Sequence, residues 1–461
     1  MDRDTVEPIV KSIPGERAAQ WMQYQQQFAA PSTNAYEFVW DLTKDAIGPF
    51  CADADGNVFL DFTTHVAAAP LGYNHPTLTK RLDAFDLPNP SKIAGQNFYA
   101  STGTAPESTD FPAPSQLMDR LTALTDHYGL DTVFLSNSGA EAVENAIKIC
   151  YDDRDGASQA ITFRGAFHGR TLGALSLNRS RAVHRRHFPE LPGVHAIPYC
   201  KDRSCKSSTC GCGFFPAEDD GSLLREMLDP KRGHIDPGDL AYIIVEPIQG
   251  EGGYRFPSDE FAAEIQEICA EHDVLLIADE IQTGIGRTGK WWGSDHFPFE
   301  PDVIVSAKGL QVGATIGRKD VFPEEKSRIS STWGGGDIYA IAQGALILEI
   351  IEEENLLANA RKRGEQLKTH LRSVDLEGIS NVRGMGLMVA IDFPSKSHLD
   401  QTIRAALERG LLTLGCGQRT MRLIPPLDVT EREIRLGADI LIEAIEETNT
   451  RGLGIDPTSI I

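Results

Sequence analysis

Residues 274–313 read VLLIADEIQTGIGRTGKWWGSDHFPFEPDVIVSAKGLQVG, and they contain two short apolar runs that are each followed by a charged side chain. The runs 274–278 and 302–307 are too short for helices, are rich in β-branched residues and do not alternate, which is typical of strands buried on both faces of a parallel sheet. Asp279 follows the first run and Lys308 follows the second. Because ligands bind at the carboxyl edge of such sheets, we expect this carboxylate and this amine to line a ligand site.

An acidic residue and a lysine in this arrangement are the pair that pyridoxal phosphate needs. The lysine forms a Schiff base with the cofactor, and the acidic residue keeps the pyridine nitrogen protonated so that the ring accepts electrons. Each residue also has an ordinary explanation, because Asp279 is able to cap a following helix and Lys308 to be a solvated charge at a strand end. These two residues alone leave both explanations open.

The charge of the whole chain excludes some classes of partner. Its 461 residues carry a formal net charge of −22 and give a pI near 5.0, so that phosphate-rich nucleic acids and anionic membranes would be repelled. The first thirty residues lack the apolar segment of a secretory signal, and no apolar run is long enough to cross a bilayer. We therefore expect a cytoplasmic protein, whose eight cysteines are thiols or metal ligands rather than disulfides.

The stretch DTVFLSNSGAEAVENAIKICYD, residues 131–152, predicts a strand, a turn and a helix in succession. Ser138, Gly139 and Ala140 lie between the strand and a helix that begins near Glu141. Free N–H groups at a helix start, with a glycine that allows close approach, form an anion site for which phosphate is the natural occupant. The alternative is an ordinary connection between a strand and a helix.

Two segments carry a family resemblance. DEIQTGIGRTGKWW at 279–292, followed by EPDVIVSAKGL at 300–310, resembles the signature of the class III (subgroup II, omega-amino-acid) pyridoxal-phosphate aminotransferases, and AITFRGAFHGRTLGALS at 160–176 resembles a second signature. The resemblance extends from about residue 50 to the C-terminal helix. It implies an α/β protein of fold-type I, with a large domain built on a mostly parallel seven-stranded sheet and a small α+β domain.

The same resemblance implies a domain organisation and an oligomer. Residues 1–80 would contribute to the small domain, 81–344 would form the large pyridoxal-phosphate domain, and 345–461 would complete the small domain. Such enzymes are homodimers or larger, and Thr332 matches the threonine that reaches the cofactor phosphate of the neighbouring subunit. The alternative for Thr332 is the N-cap of a helix that begins near Tyr339.

The cofactor contacts implied by the family are carried over residue by residue. Lys308 would hold pyridoxal 5′-phosphate and move the substrate proton, while Asp279 would contact the pyridine nitrogen. Phe167 would cover one face of the ring, and Gln282 would bond to the ring hydroxyl oxygen. His168 has two open interpretations, a packed or hydrogen-bonded histidine and a catalytic one.

The substrate contacts implied by the family have structural alternatives. Arg170 would grip the distal carboxylate of the substrate through its planar guanidinium, or form a structural salt bridge. Glu246 would pair with Arg422 when a monocarboxylate is bound and release it for a dicarboxylate, or form a fixed ion pair. Val66 matches an aliphatic position at the substrate entrance of 4-aminobutyrate enzymes, although simple packing also explains it.

A cysteine-rich insert at 199–221 departs from the common family pattern. Cys200, Cys205, Cys210 and Cys212 are spaced C-x4-C-x4-C-x-C, which is not a standard zinc or ferredoxin spacing. Four thiolates so close in sequence are able to hold a structural zinc ion or an iron–sulfur cluster. Free surface thiols are the alternative.

The activity that the resemblance implies is transfer of a terminal amino group to 2-oxoglutarate, which gives a semialdehyde and L-glutamate. LGCGQRTMR at 414–422 and AFHGRT at 166–171 resemble 4-aminobutyrate aminotransferases, and we place that donor first. SRISSTWGG at 327–335 and LQVG at 310–313 are more similar to lysine 6-aminotransferases, so lysine or ornithine is the alternative donor. A racemase of the same fold, or a binding protein without transamination, is more remote, because neither needs the predicted pair of Glu246 and Arg422.

Overall fold

The computed structural model describes residues 1–32, 37–85, 95–97, 99–108, 111–216 and 221–450. The chain divides into two compact units, which we call the central unit, Lys80–Glu354, and the terminal unit, Met1–Thr79 with Asn355–Ile461. Residues 217–220, which belong to the predicted cysteine-rich insert, lie outside the described residues.

The strands and helices follow in chain order. The strands are β1 (Phe50–Ala52), β2 (Val58–Asp61), β3 (Thr132–Ser136), β4 (Gln159–Phe163), β5 (Val194–Ile197), β6 (Leu240–Val245), β7 (Leu275–Asp279), β8 (Val303–Ser306), β9 (Gly313–Gly317), β10 (Ser380–Met385), β11 (Met388–Asp392), β12 (Leu411–Leu412), β13 (Leu414–Cys416) and β14 (Thr420–Leu423). The helices are α1 (Glu16–Gln26), α2 (Pro76–Asp83), α3 (Pro114–Ala123), α4 (Gly139–Asp153), α5 (Leu172–Leu177), α6 (Leu223–Met227), α7 (Asp259–His272), α8 (Ile338–Glu353), α9 (Leu356–Arg372), α10 (Lys396–Glu408) and α11 (Glu431–Thr450).

The central unit is built on a sheet that has seven strands within the described ranges, in the order β3-β9-β8-β7-β6-β4-β5. Only β9 runs against its neighbours, pairing antiparallel with both β3 and β8. The other pairs, from β8 across to β5, are parallel. Because β3 and β8 both run antiparallel to β9, they run in the same direction as each other. Their carboxyl ends therefore lie at the same edge of the sheet. The predicted fold, a mostly parallel sheet with a smaller α+β part, is confirmed.

The short apolar runs form strands because both of their faces are covered. Every residue of β6, β7 and β8 is buried. The buried side of α4 packs against this sheet, so that Ala142, Val143 and Ile147 share a core with strand residues such as Ile277 and Val303. A parallel strand that is covered on both faces exposes neither set of its alternating side chains to water. Its residues are therefore all apolar, which explains the unbroken apolar pattern of the sequence.

The terminal unit contains two smaller sheets within the described residues. One has the order β1-β2-β12, and the other is an antiparallel sheet with the order β10-β11-β14-β13. Residues 341–374 show one long helical pattern in the sequence. The helical pattern is broken at Asn355, whose φ of 52° is left-handed, and it forms the two helices α8 and α9. Asparagine tolerates this conformation better than most residues, so the break has a local cause.

No helix among the described residues combines the length and the apolar character that a membrane span requires. The cytoplasmic location stays a prediction.

Candidate active site

The carboxyl edge of the central sheet gathers the predicted catalytic pair. Asp279 is the last residue of β7, and Lys308 lies two residues beyond the end of β8. The strands are in register here, because Asp279 pairs with Val305 and the N–H of Glu280 donates to the Val305 carbonyl at 2.9 Å. The backbone therefore carries the carboxylate and the amine to the same edge of adjacent strands.

Asp279 is buried and is held by two hydrogen bonds. Its Oδ2 lies 2.7 Å from Nδ1 of His168, and its Oδ1 accepts from the N–H of Ile281 at 3.0 Å. His168 is equally buried and is itself fixed, because its N–H donates to Oδ1 of Asn178 at 2.6 Å. With Nδ1 donating to the carboxylate, the imidazole orients the carboxylate and leaves its other oxygen facing the backbone. His168 is therefore hydrogen-bonded, and whether it also acts in catalysis stays a prediction.

Glu246 follows β6 at the same edge and is buried. Its two oxygens accept from the N–H groups of Phe167 at 2.9 Å and Gly250 at 2.8 Å. The pKa of this carboxyl is raised from 4.5 to about 7, because burial and the negative charge of Asp279 outweigh the lowering by His168 and by the two backbone N–H groups. A group with such a pKa is able to change charge near neutrality, which is a common property of functional sites.

Gln282 lies on the segment after β7 and points a polar atom into the interior. Its side chain is 9% exposed, and its Oε1 has no hydrogen-bond partner among the described residues. The side chain lies against Gly250, where a Cβ would come within 2.8 Å of Oε1. A buried amide without a partner is costly, so the site is suited to a ligand that supplies the missing group.

The start of α4 forms the other wall of the site. Ser138 is the N-cap, and its Oγ accepts from the N–H of Glu141 at 3.2 Å. The remaining first-turn N–H groups have no acceptor within the helix, as at any helix start. A Cβ at Gly139 would lie 2.7 Å from Cδ1 of Ile281, so a side chain here would displace Ile281 in the segment after Asp279. The predicted helix start near Glu141 is thus two residues late.

A glycine also brings the loop after β4 to this helix start. Gly169 has a φ of +142°, and a Cβ there would lie 2.8 Å from Cβ of Ala140. The loop presents Phe167 half-buried and Arg170 exposed, with the guanidinium 5.8 Å from the centre of the Phe167 ring. The rings of His184 and Phe167 are nearly perpendicular, with centroids 5.4 Å apart. The pKa of His184 is lowered by burial and by the positive charges of Arg170 and Arg181. The rim of the site is therefore positive, although the chain as a whole is acidic.

Three predicted site residues are not brought together with this group by the described contacts. Thr332 is exposed in the central unit, and it is not a helix cap, since Asp337 caps α8 by accepting from the N–H of Ala340 at 2.9 Å. Val66 and Arg422 belong to the terminal unit. The pairing of Arg422 with Glu246, and the roles of Thr332 and Val66, stay predictions.

Val66 lies in a backbone conformation that the sequence did not indicate. Residues 64–67 all have positive φ, and Val66 has φ 61° and ψ 49°. Asp61 holds the turn, because its Oδ1 accepts from the N–H groups of Thr63 at 2.6 Å and Thr64 at 3.1 Å. Left-handed geometry is strained for a β-branched residue, and such strain is found more often at functional positions than elsewhere.

The residues of the central unit fit pyridoxal 5′-phosphate. The buried carboxylate of Asp279 suits a protonated pyridine nitrogen, and the unpartnered Oε1 of Gln282 suits a ring hydroxyl. The start of α4, with Gly139 lacking a Cβ, suits a phosphate group. Lys308, two residues beyond β8, would provide the amine that the cofactor aldehyde requires.

Sequence reasoning missed the residues that support this site. Asn178 fixes the loop after β4 twice, through the His168 N–H and through a bond from its Nδ2 to the Gly169 carbonyl at 2.7 Å. Asn178 lies about ten residues from these two partners in the sequence. No sequence pattern identifies an asparagine in a loop as one that fixes another part of the loop. The bond between His168 and Asp279 joins segments that are far apart in sequence, so only the folded chain reveals it.

Comparisons with known proteins identify similar chains. The profile of the family described as Aminotransferase class-III matches residues 32–445. The acetylornithine aminotransferase of Synechocystis sp. is 33% identical over 412 residues, covering 85% of this chain and 86% of its own length. The alanine/serine racemase of Pyrococcus horikoshii is 31% identical over 465 residues, covering 96% of this chain and 93% of its own length. Among solved structures, the lysine aminotransferase from M. tuberculosis matches with a TM-score of 0.79 at 27% identity, covering 94% of this chain and 99% of that one.

Proposed function

Because this chain belongs to the class-III aminotransferase family and works with pyridoxal 5′-phosphate, we propose that it moves the terminal amino group of a basic amino acid to 2-oxoglutarate. The donors placed first are lysine, ornithine and N-acetylornithine. The observation that carries the proposal is the buried Asp279, bonded to His168 and in register with the strand that leads to Lys308. The names of the similar proteins support this choice of donor class.

The proposed chemistry divides the work between two residues. When bound, pyridoxal phosphate supplies an electron sink for the bonds of the carbon that carries the amine. Lys308 would hold the cofactor in the resting enzyme and, once displaced by the donor, would carry the proton from the donor carbon as a general base. Such transfer by a positioned side chain is typically worth about 10²–10⁴-fold in rate. Asp279 would stabilise the charge that develops, and His168 would keep its carboxylate oriented.

Arg170 is proposed to bind the carboxylate at the far end of the donor. Its guanidinium is exposed at the rim, above Phe167. The positive charges of Arg170 and Arg181 both act on His184, so Arg181 adds to the positive charge of this rim. A planar guanidinium binds a carboxylate bidentately, which would hold the donor with its terminal amine directed inwards. Lysine, ornithine and 4-aminobutyrate all have a carboxylate distant from a terminal amine, so Arg170 alone does not separate them.

Two other activities remain as candidates. The sequence placed 4-aminobutyrate first, and this donor now follows the basic amino acids, because no protein with that name is among the relatives described above. Racemization is favoured by one observation, the long match to the alanine/serine racemase, which covers 96% of this chain. It would use the same Lys308 and Asp279 but no keto-acid acceptor.

We also propose that the working enzyme is a homodimer or a larger homo-oligomer. Thr332 is exposed, and so are the adjacent Trp333, by 50%, and Tyr339 seven residues later, by 39%. Aromatic side chains are enriched at protein interfaces. This placement suits the predicted contact of Thr332 with the cofactor phosphate of a partner subunit.

The test is a set of half-reactions on the purified holoenzyme. L-lysine, L-ornithine, N-acetyl-L-ornithine, 4-aminobutyrate and L-alanine are added separately, and the cofactor absorbance is followed. We expect a basic donor to convert the cofactor spectrum, 2-oxoglutarate to restore it, and L-glutamate to accumulate. Conversion by 4-aminobutyrate alone would return that donor to first place. Formation of D-alanine without glutamate, seen by chiral chromatography, would replace the proposal with racemization.

A further inference from the structure

The cysteines of the insert converge although their spacing matches no standard motif. The Sγ atoms of Cys200, Cys205 and Cys212 all lie within 4.8 Å of one another. The fourth thiol joins them, since Cys210 Sγ is 2.8 Å from Cys212 Sγ and is also a hydrogen-bond neighbour of Cys205. The four other cysteines of the chain, Cys51, Cys150, Cys269 and Cys416, are separate buried side chains. Half of the chain's thiols therefore meet at one point.

The loop that carries these thiols is folded by its own backbone. Asp202 organises the first turn, because its carbonyl accepts from the N–H of Cys205 at 3.0 Å and its Oδ1 accepts from the N–H of Ser204 at 2.9 Å. A second turn follows, in which the N–H of Thr209 donates to the Lys206 carbonyl at 3.0 Å. Each turn directs one cysteine back towards Cys200, so convergence is a property of the loop.

The loop is also anchored to the first turn of α7. The N–H of Ser207 donates to Oε2 of Glu260 at 2.7 Å, and Lys206 pairs with the same carboxylate at 3.5 Å. Cys200 Sγ lies 3.6 Å from Oγ of Ser258, the N-cap of α7. These contacts place the cysteine cluster at the N-terminal end of α7, a helix of 14 residues. The positive end of the helix dipole lies there and favours thiolates over thiols.

Buried aromatic side chains flank the cysteine loop at both of its ends. Phe214, two residues after Cys212, is fully buried, and its ring centroid lies 4.5 Å from that of Phe261. Tyr199, directly before the first cysteine, lies 5.0 Å from the same ring. The two ends of the cysteine loop are therefore fixed in the core of the central unit, which holds the loop between them in place.

We propose that Cys200, Cys205, Cys210 and Cys212 bind one zinc ion as a structural tetrathiolate site. Four sulfurs at about 2.3 Å from a tetrahedral ion lie about 3.8 Å from one another. The sulfurs of Cys200, Cys205 and Cys212 already lie within 4.8 Å of one another, and Cys210 lies 2.8 Å from Cys212, so only small shifts would complete the tetrahedron. Binding would separate Cys210 from Cys212 by about 1 Å and release the thiol protons. An iron–sulfur cluster would hold its thiolates on different iron atoms and therefore further apart.

The site would also support the active site at a distance. Tyr199 donates from its hydroxyl to the backbone carbonyls of Glu246 at 3.0 Å and Pro247 at 3.1 Å. An ion that fixes Cys200 therefore fixes the residue next to Tyr199, and through it the loop after β6. Zinc has no redox chemistry and all four positions would be occupied by sulfur, so the ion would stabilise the fold without joining the reaction.

The experiment is metal analysis of the holoenzyme purified from zinc-supplemented cells. We expect about one zinc ion per chain in the wild type, measured by inductively coupled plasma mass spectrometry. Cys205→Ala and Cys212→Ala should each lose most of this zinc while they retain bound pyridoxal phosphate. Cys269→Ala is the matched control, because it removes a buried thiol elsewhere in the central unit, and it should keep the wild-type zinc content.

A second measurement keeps the proposal testable if the variants do not fold. The wild-type holoenzyme is treated with a chelator, and its thiols are counted with a thiol reagent before and after zinc is restored. Zinc should protect four thiols, and cobalt in its place should give the absorption of a tetrahedral thiolate complex. Iron with acid-labile sulfide would overturn the proposal, as would a disulfide among the four cysteines, or unprotected thiols in protein saturated with zinc.

Discussion

The charge of Glu246 should make stability depend on pH in a way that Glu246→Gln removes. The folded-state pKa of this carboxyl is about 7, against an ordinary value of 4.5, because the group is buried beside Asp279. A raised pKa means that the folded chain holds the proton more tightly than the unfolded chain. Its contribution to stability is therefore complete below pH 4.5 and is lost as the pH rises towards 7.

The magnitude follows from the size of the shift. A difference of about 2.5 in pKa corresponds to about 3 kcal/mol in the free energy of unfolding, at about 1.4 kcal/mol for each unit. The variant cannot be compared at a single pH, because its amide would keep the bond from the Phe167 N–H but would turn a donor towards the Gly250 N–H. The free energy of unfolding is therefore measured against pH for both proteins, and the difference between the two slopes gives the contribution of the Glu246 titration.

The assay is urea unfolding of the holoenzyme between pH 4.5 and pH 8, run in parallel on wild type, Glu246→Gln and the exposed control Glu324→Gln. Wild type and the control should lose about 3 kcal/mol more than Glu246→Gln over this interval. Infrared spectroscopy supplies a direct reading, since a buried carboxylic acid band should titrate near pH 7 in wild type and be missing from Glu246→Gln. Parallel profiles, or an unchanged carboxylic acid band, would refute the assignment.

Three further predictions concern the site. Asp279→Asn should slow the donor half-reaction by about 10²–10³, the usual cost of removing one preorganised charge, and a rate within a few fold of wild type would contradict its role. Gly169→Ala should weaken cofactor binding by about tenfold or more in a fluorescence titration, because its Cβ would lie 2.8 Å from Ala140 at a φ of +142°, whereas Gly156→Ala, with a positive φ but open space, should bind normally. Arg170→Lys should raise KM for the donor more than it lowers kcat, since a single ammonium replaces a bidentate contact, and an unchanged KM would assign Arg170 to structure.

The catalytic edge could be predicted because its signal is local. Strands β7 and β8 are short apolar runs that each lead to one charged residue, and a parallel sheet turns that sequence pattern into a shared edge. The cysteine insert gave a similar local signal, although only the folded loop shows that the thiols converge.

The remainder could not be predicted because it depends on contacts between distant segments. His168 meets Asp279 across 111 positions of the chain, and Gly169 fits against Ala140 only after two loops have met. The break at Asn355 interrupts a helical pattern that looks continuous in the sequence, because a single left-handed residue leaves hydrophobic periodicity almost unchanged.

The most direct test of the account is to locate the lysine that holds the cofactor. The purified holoenzyme is reduced with borohydride, digested and analysed by mass spectrometry for the peptide that carries the pyridoxyl phosphate group. The account predicts the label on Lys308, with Lys308→Ala unlabelled. A label on another lysine, such as Lys290 or Lys319, would contradict the assignment of this sheet edge as the active site.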